Sequence, residues 1–225
     1  MLEPVTLDNP IWSALTTGHA SLALGSGLAR RYPDDVSPLA GLREPTPEAF
    51  ADLRALSDLG AGLFTVEPVD VPEEWEVLRT RRIEQMICHE PPASPPARDL
   101  LTLGAADVPE MLALAAMTEP GPFLSETYRM GRYLGIRSGS GELAAMAGER
   151  LRIDGFTELS AVCTHPDFQG RGYARSLVTA LASQSLAEGS VPFLHVKTEN
   201  GAVVLYEKLG FTVRRGIQLT VIRPR

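Results

Sequence analysis

Cysteine is scarce: Cys88 and Cys163 are the two thiols in 225 residues. They stand at no metal-ligand spacing and cannot build a disulfide scaffold, so both read as reduced, buried residues and no metal site is expected. Long apolar runs are missing too. The most apolar stretch, Met111 to Met117, is far too short to cross a bilayer, and no membrane partner is expected. The start, Met1-Leu2-Glu3-Pro4, lacks the basic residues and apolar centre of a signal peptide, which makes a cytoplasmic chain the simple expectation. Positive charge is in deficit. The chain has 21 Lys and Arg against 28 Asp and Glu, a net charge of −7, which argues against nonspecific nucleic-acid binding. Basic clusters occur at Arg79-Thr80-Arg81-Arg82 and Arg214-Arg215, and the first reads as a solvated helix face. Two phosphate-binding signatures are also absent: no G-x-G-x-x-G follows a strand, and there is no G-x-x-x-x-G-K-S/T.

What remains is an ordinary globular composition, 44% hydrophobic, with enough residues for one large or two small domains and a sizeable core. The clearest boundary is Glu90-Pro91-Pro92-Ala93-Ser94-Pro95-Pro96-Ala97, whose prolines continue neither a helix nor a central strand. It divides the chain into residues 1–90, a linker at 91–97, and residues 98–225. In the first part, Asn9-Pro10 and Thr46-Pro47 open helices, Phe50, Leu53, Leu56 and Leu59 recur at helical spacing, and Gly60 stops the run. Arg30 to Pro38 reads as a loop, and Gly62 to Val66 and Glu84 to Cys88 read as strands. This smaller α/β unit carries no motif with chemistry.

The second part alternates more clearly. A strand at Leu100 to Leu103 precedes a helix opened by Asp107, with Met111, Leu112 and Ala115 facing in. Tyr133 to Arg137 and Glu142 to Ala147 flank a Ser-Gly turn, and Asp154-Gly155 makes a second turn before Glu158. Then comes the most informative stretch, Thr164-His165-Pro166-Asp167-Phe168-Gln169-Gly170-Arg171-Gly172-Tyr173-Ala174. It joins a strand, Leu159 to Cys163, to a helix, Ala174 to Ala187. The first amides of a helix have no partner in their own helix, and its dipole favours an anion there. Gly170 and Gly172 remove side chains where a ligand must lie against the backbone, and Arg171 adds a charge for phosphate oxygens. Downstream, a strand at Phe193 to Lys197 is followed by a short helix and then Gly210-Phe211.

Gln169, Gly172 and Ala174 fill Q-x-x-G-x-A, which resembles the acetyl-CoA-binding motif of the GNAT acyltransferase superfamily. Leu205-Tyr206-Glu207-Lys208-Leu209-Gly210-Phe211 is similar to its L-Y-x-x-L-G-F ending. The resemblance covers Leu100 to Arg225. It implies a mixed, strongly twisted sheet flanked by helices, preceded by the smaller unit, which is either a degenerate copy of the same fold or an unrelated cap. It implies acetyl-CoA as acyl donor. The turn from Gln169 through Gly170, Arg171, Gly172 and Tyr173 to Ala174 would hold the pyrophosphate, and the backbone of Val162, Cys163 and Thr164 would pair with the pantetheine arm. Many members carry an asparagine seven residues before the motif tyrosine. Here that place is Glu199, with Asn200 one residue later, so the contact of Asn200 is an open assignment.

Acyl transfer to an amine needs a base, an oxyanion donor and an acid for the leaving thiolate. The resemblance implies Glu158 as base, with Glu149 second, and Tyr206 as acid. Cys163 and His195 read as core residues and His165 as a turn residue. The acceptor pocket would be built by Thr118 to Tyr128 and by a late hairpin at Arg214 to Gln218. The acceptor is expected to be a small-molecule or peptide amine, and a homodimer is an open alternative to a monomer. The rival reading is a catalytically inactive CoA-binding sensor or regulatory module.

Overall fold

The computed structural model describes residues 4–91, 99–197 and 201–225. Prolines 92, 95 and 96 and Asn200 therefore lie outside the described residues. One eight-stranded sheet organises the rest. Its strands are β3 (Ala61–Thr65), β4 (Trp75–Cys88), β5 (Leu101–Leu103), β6 (Tyr133–Arg137), β7 (Leu143–Ile153), β8 (Phe156–Thr164), β9 (Val191–Lys197) and β10 (Phe211–Pro224), in the order β3-β10-β4-β9-β8-β7-β6-β5. All neighbours are antiparallel except β8 and β9. Two short strands, β1 (Ala29–Arg31) and β2 (Ala40–Leu42), pair separately. The helices are α1 (Pro10–Thr16), α2 (Pro47–Leu56), α3 (Val108–Thr118), α4 (Tyr173–Ala187) and α5 (Ala202–Lys208).

Local sequence explains most of these elements. Thr46 caps α2 by accepting a hydrogen bond from the Ala49 amide, with Pro47 at the first helical position. Asp154-Gly155 closes the β7–β8 hairpin, with Gly155 at φ +79° as a two-residue turn requires. In α4, Leu177, Val178, Leu181 and Ala182 are fully buried on one face, the spacing of an amphipathic helix.

Alternation then assigns the two faces of the sheet. On one, α4 and α5 pack against Leu159, Leu194, Val196, Met86 and Cys88. On the other, α1 packs with Phe64, Ile83, Phe193 and Ile217, while α3 packs with Tyr133, Met146 and Cys163.

Several expectations need correction. Among the described residues, the first ninety hold only the two-stranded β1–β2 sheet of their own, not the sheet of a second copy of the fold. Their strands β3 and β4 belong to the main sheet, and β4 sits between β9 and β10, because its buried positions Ile83, Gln85 and Met86 match the partly apolar β9 and β10 on either side. The cluster Arg79 to Arg82 is therefore strand, not helix. The loop expected from Arg30 begins as strand β1, and α2 ends at Leu56, leaving Leu59 56% exposed. No late hairpin forms either: residues 211 to 224 make one strand with a bulge between Val213 and Arg215.

Candidate functional site

Strands β8 and β9 start side by side and then part. Their pairing runs from Phe156↔Val191 to Glu158↔Phe193 and stops there, although β8 continues to Thr164 and β9 to Lys197. The backbone of β8 beyond Glu158 thus faces a gap. On its other side, the register with β7 jumps from Gly148↔Ser160 to Met146↔Cys163. Ala161 sits in that irregularity at φ +51°, a left-handed conformation that costs a non-glycine residue roughly 1–2 kcal/mol. A bulge turns strand amides out of the ladder, and here it does so beside the gap. Val162, Cys163 and Thr164 follow directly, so the segment predicted to meet an extended ligand borders this opening.

The strand leads into the glycine-rich turn. His165 accepts a hydrogen bond from the Asp167 amide at 3.2 Å and packs its ring 5.5 Å from Phe168, a turn-forming role as expected. Gln169, Gly170, Arg171 and Gly172 are exposed. Gly170 and Gly172 adopt φ of +73° and +76°, and a side chain at Gly170 would meet nothing within 4 Å, so the turn has open space against its backbone. Arg171 stacks its guanidinium 4.9 Å over the Phe168 ring. Tyr173 and Ala174 begin α4, a 15-residue helix, beside this space, and the first amides of a helix have no partner within that helix.

Tyr206 of α5 is 9% exposed and stands edge-on to Phe211, 5.9 Å between ring centres. Burial first, and the nearby Cys163 second, push its phenol up to about 12. It is a proton donor throughout the neutral range. Burial also pushes the Cys163 thiol up to about 11, which leaves it an inert core group rather than a nucleophile.

The carboxylate candidates differ from expectation. Glu158 is fully buried. It receives Arg150 Nε at 2.8 Å and Nη2 at 2.5 Å, and His195 Nδ1 lies 2.7 Å from its Oε1. Burial alone would raise its pKa, but the Arg150 charge, His195 and their hydrogen bonds outweigh it and hold the carboxyl at about 2. A carboxylate so stabilised is a poor proton acceptor. Glu149 is likewise committed, accepting from Arg132 Nη2 at 2.7 Å, Nε at 3.2 Å and its backbone amide at 3.1 Å. Neither is a free base.

Instead, Glu158 belongs to a polar row that crosses the sheet at the point where β8 and β9 part. Arg150 on β7 binds Glu158 on β8, which binds His195 on β9. His195 Nε2 lies 3.0 Å from Gln85 Nε2 on β4, whose Oε1 accepts from Arg214 Nη1 on β10 at 2.7 Å. Arg214 ends on Asp8 at 2.7 Å. Gln85 also donates to the Leu7 carbonyl at 2.9 Å, so its amide is oriented to donate toward His195 Nε2, which puts the imidazole proton on Nδ1 facing Glu158.

His195 and Arg150 help line a cleft of about 840 Å³ on the α1–α3 face. One wall is sheet: Phe64, Arg81, Ile83, Lys197 and Leu219. The other is the end of α3 and the loop Glu119-Pro120-Gly121-Pro122-Phe123. The loop was expected to shape the acceptor side; His195, Arg150 and Gln85 were not singled out for chemistry. A histidine in an apolar strand run was the available signal for His195. Gln85 and Arg150 carried none, since their role depends on cross-strand neighbours.

Comparison with known proteins agrees with this geometry. The sequence profile of the family described as FR47-like protein matches residues 133–218. A curated acetyltransferase of Yersinia enterocolitica is 39% identical over 57 residues, which is 24% of this chain and 40% of that protein, so the match spans about two fifths of the relative's length. The crystal structure of a Novosphingobium aromaticivorans protein assigned to the GNAT acetyltransferases is 40% identical, covers 97% of this chain and 98% of its own, and superimposes with a TM-score of 0.89. A GCN5-related N-acetyltransferase from Kribbella flavida, 18% identical over 95% of this chain and 96% of its own, shares the fold with a TM-score of 0.62. Near-complete coverage at 40% identity, joined to a parted parallel strand pair and a glycine turn at a helix start, places this chain in the GNAT family of acetyltransferases.

Proposed function

We propose that the chain transfers an acetyl group from acetyl-CoA to the nitrogen of a small-molecule or peptide amine, by direct attack in a ternary complex. The observation that carries this reading is the parting of β8 from β9 after Glu158, ending at a glycine turn that opens α4. The amides from Gly170 to Ala174 take the pyrophosphate, with Arg171 adding charge. The pantetheine arm occupies the gap and pairs with the backbone of Val162, Cys163 and Thr164. A turned-out amide of the Ala161 bulge, at Ala161 or Val162, stabilises the oxyanion.

The acceptor enters from the cleft on the other face. The proton of the attacking amine goes to His195 Nε2, exchanging the hydrogen bond from Gln85 for one from the substrate. Glu158 fixes the ring through Nδ1 and stabilises the imidazolium that results, without itself taking the proton. Tyr206 protonates the departing thiolate. His195→Gln should then lower kcat by about a hundredfold while acetyl-CoA affinity holds. An unchanged kcat would remove His195 from the mechanism.

The second reading, a CoA-binding sensor without turnover, is favoured by one observation: Glu158 is closed into an ion pair and both nitrogens of His195 are engaged. CoA release from acetyl-CoA in the presence of a panel of amines separates the two. Amine-dependent release supports the enzyme, and saturable binding without release supports the sensor.

A further inference from the structure

Several cations of this chain are tightly paired. Arg132, Arg137, Arg150, Arg214, Arg215 and Arg223 each hold a carboxylate within 3 Å, as a surplus of 28 acids over 21 bases allows. Three others share the cleft wall: Arg79, Arg81 and Lys197. None of them has a carboxylate within ion-pair distance among the described residues.

Strand geometry gathers these three. Arg79, Arg81 and Ile83 alternate along β4 and so project from one face. Lys197 pairs with Ile83 across β9, while Leu219 and Val221 pair with Arg81 and Arg79 across β10. The cations therefore stand on an apolar floor of Phe64, Ile83, Leu219 and Val221. Arg150 is neutralised by Glu158. Among the described residues the single carboxylate of the wall is Glu119, leaving an excess of two positive charges (three cations less one acid). Repulsion among three unpaired cations is tolerated where an anion completes the site.

We infer that the acceptor of the proposed transfer is an amine with an apolar body and a carboxylate at its far end, the carboxylate being held by Arg81, Lys197 and Arg79. This rests on the reading of the cleft as the acceptor side. Spacing along the strands sets the length. Lys197 is two residues from His195, and Arg81 is four from Gln85, which pairs with His195. At about 3.3 Å per residue the carboxylate sits roughly 7–13 Å from the nitrogen. Glu119 adds a negative charge that suits the acceptor's ammonium and counts against a doubly charged phosphate ester. The cleft lies on the face opposite α4, away from the turn assigned to the donor's phosphates.

Two amines of matched length, ε-aminocaproate and n-hexylamine, test this by calorimetric titration of the full chain and of a triple variant, Arg79→Gln, Arg81→Gln, Lys197→Gln. All three side chains line the cleft and hold no carboxylate within ion-pair distance among the described residues, so the variant should keep its unfolding midpoint. The expected result is that ε-aminocaproate binds at least about tenfold tighter than n-hexylamine, that salt weakens the preference, and that the variant loses it while acetyl-CoA affinity is unchanged. Equal or tighter binding of n-hexylamine, binding of neither compound, or survival of the preference in the variant would overturn the inference. So would a parallel fall in acetyl-CoA affinity, which would assign the cations to the donor. Absence of acetyl-CoA binding with the preference intact would instead strike the acetyl-transfer reading and leave the carboxylate site standing.

Discussion

The two faces of the sheet around the β8–β9 gap are built differently. Under α4 and α5 the packing is apolar, with Leu159, Leu177, Leu181, Leu194 and Val196 at most 6% exposed. What that side presents to a ligand is backbone: a bulged strand, two left-handed glycines and the start of a helix. Under α1 and α3 a row of side chains from five strands, Arg150, Glu158, His195, Gln85 and Arg214, crosses the interior and opens onto a cleft lined by cations that hold no carboxylate among the described residues. Backbone recognition suits a donor whose phosphates and amide arm are the same in every turnover. Side-chain recognition suits an acceptor that must be chosen among many amines. The difference teaches where each kind of change should be felt: the side-chain face should answer to charge removal in its stability, the backbone face to added bulk or charge in its affinity.

The largest effect is expected on the side-chain face. Glu158→Gln leaves Arg150 buried without its counter-charge, and breaking a buried pair from one side costs about 3–5 kcal/mol. Urea denaturation of the variant should show this loss, with partial recovery in Glu158→Gln/Arg150→Met. An unaltered midpoint would mean that the row contributes nothing to holding that face together.

The same face should carry an acid sensitivity. His19, 3% exposed, is held by the Tyr32 hydroxyl and the Met130 carbonyl, each at 2.8 Å. Burial lowers its pKa from 6.5 to about 4. Below pH 6.5 the unfolded chain takes up a proton that the folded chain refuses, so stability falls as pH drops from 6.5 toward 4, by about 3 kcal/mol in all. Glu158 acts in a lower window. Its depressed pKa stabilises the fold above about 4.5, and that contribution disappears as pH falls toward 2. Denaturation curves at pH 7.5 and 5 should separate in the wild type and draw together in His19→Gln. Equal separation in both would assign the acid sensitivity elsewhere.

On the backbone face, Gly172→Asp is the sharper probe. Aspartate tolerates a left-handed φ better than most residues, so the fold should hold, while its charge opposes phosphate at the head of α4. Acetyl-CoA affinity should fall about a hundredfold, near 2.7 kcal/mol. Unchanged affinity in titration would remove the turn from the donor site. The smallest effect is expected for Tyr206→Phe, which should lower kcat by about ten- to a hundredfold with acetyl-CoA affinity retained. Steady-state kinetics would show a purely packing role as unchanged kcat.

Legibility followed the same division. Gly170, Gly172 and the run from Leu205 to Phe211 were readable because turn and helix-stop chemistry is local in sequence. The other face depended on partners that are distant in the chain. Arg79 to Arg82 resembled a solvated helix because its strand alternation shows its meaning only beside Leu219 and Val221 of β10. Glu158 looked free because a regular Asp154-Gly155 hairpin would set Leu151 opposite it; a register shift between Glu149 and Arg152 brings Arg150 there instead. The proline-rich segment at 91–97 read as a domain boundary, yet the sheet takes strands from both sides of it. Nothing in the composition of Trp75 to Cys88 announces that it will pair between β9 and β10.

The central claim is that the opening beyond Glu158 and the turn before α4 together form the acetyl-CoA site. Backbone amide resonances followed during titration with acetyl-CoA test it most directly. Saturable shifts are expected at Val162 to Thr164 and Gly170 to Ala174, with the cleft cations Arg79 and Arg81 little affected. Shifts centred on the cleft instead, or no shifts at millimolar acetyl-CoA, would contradict it.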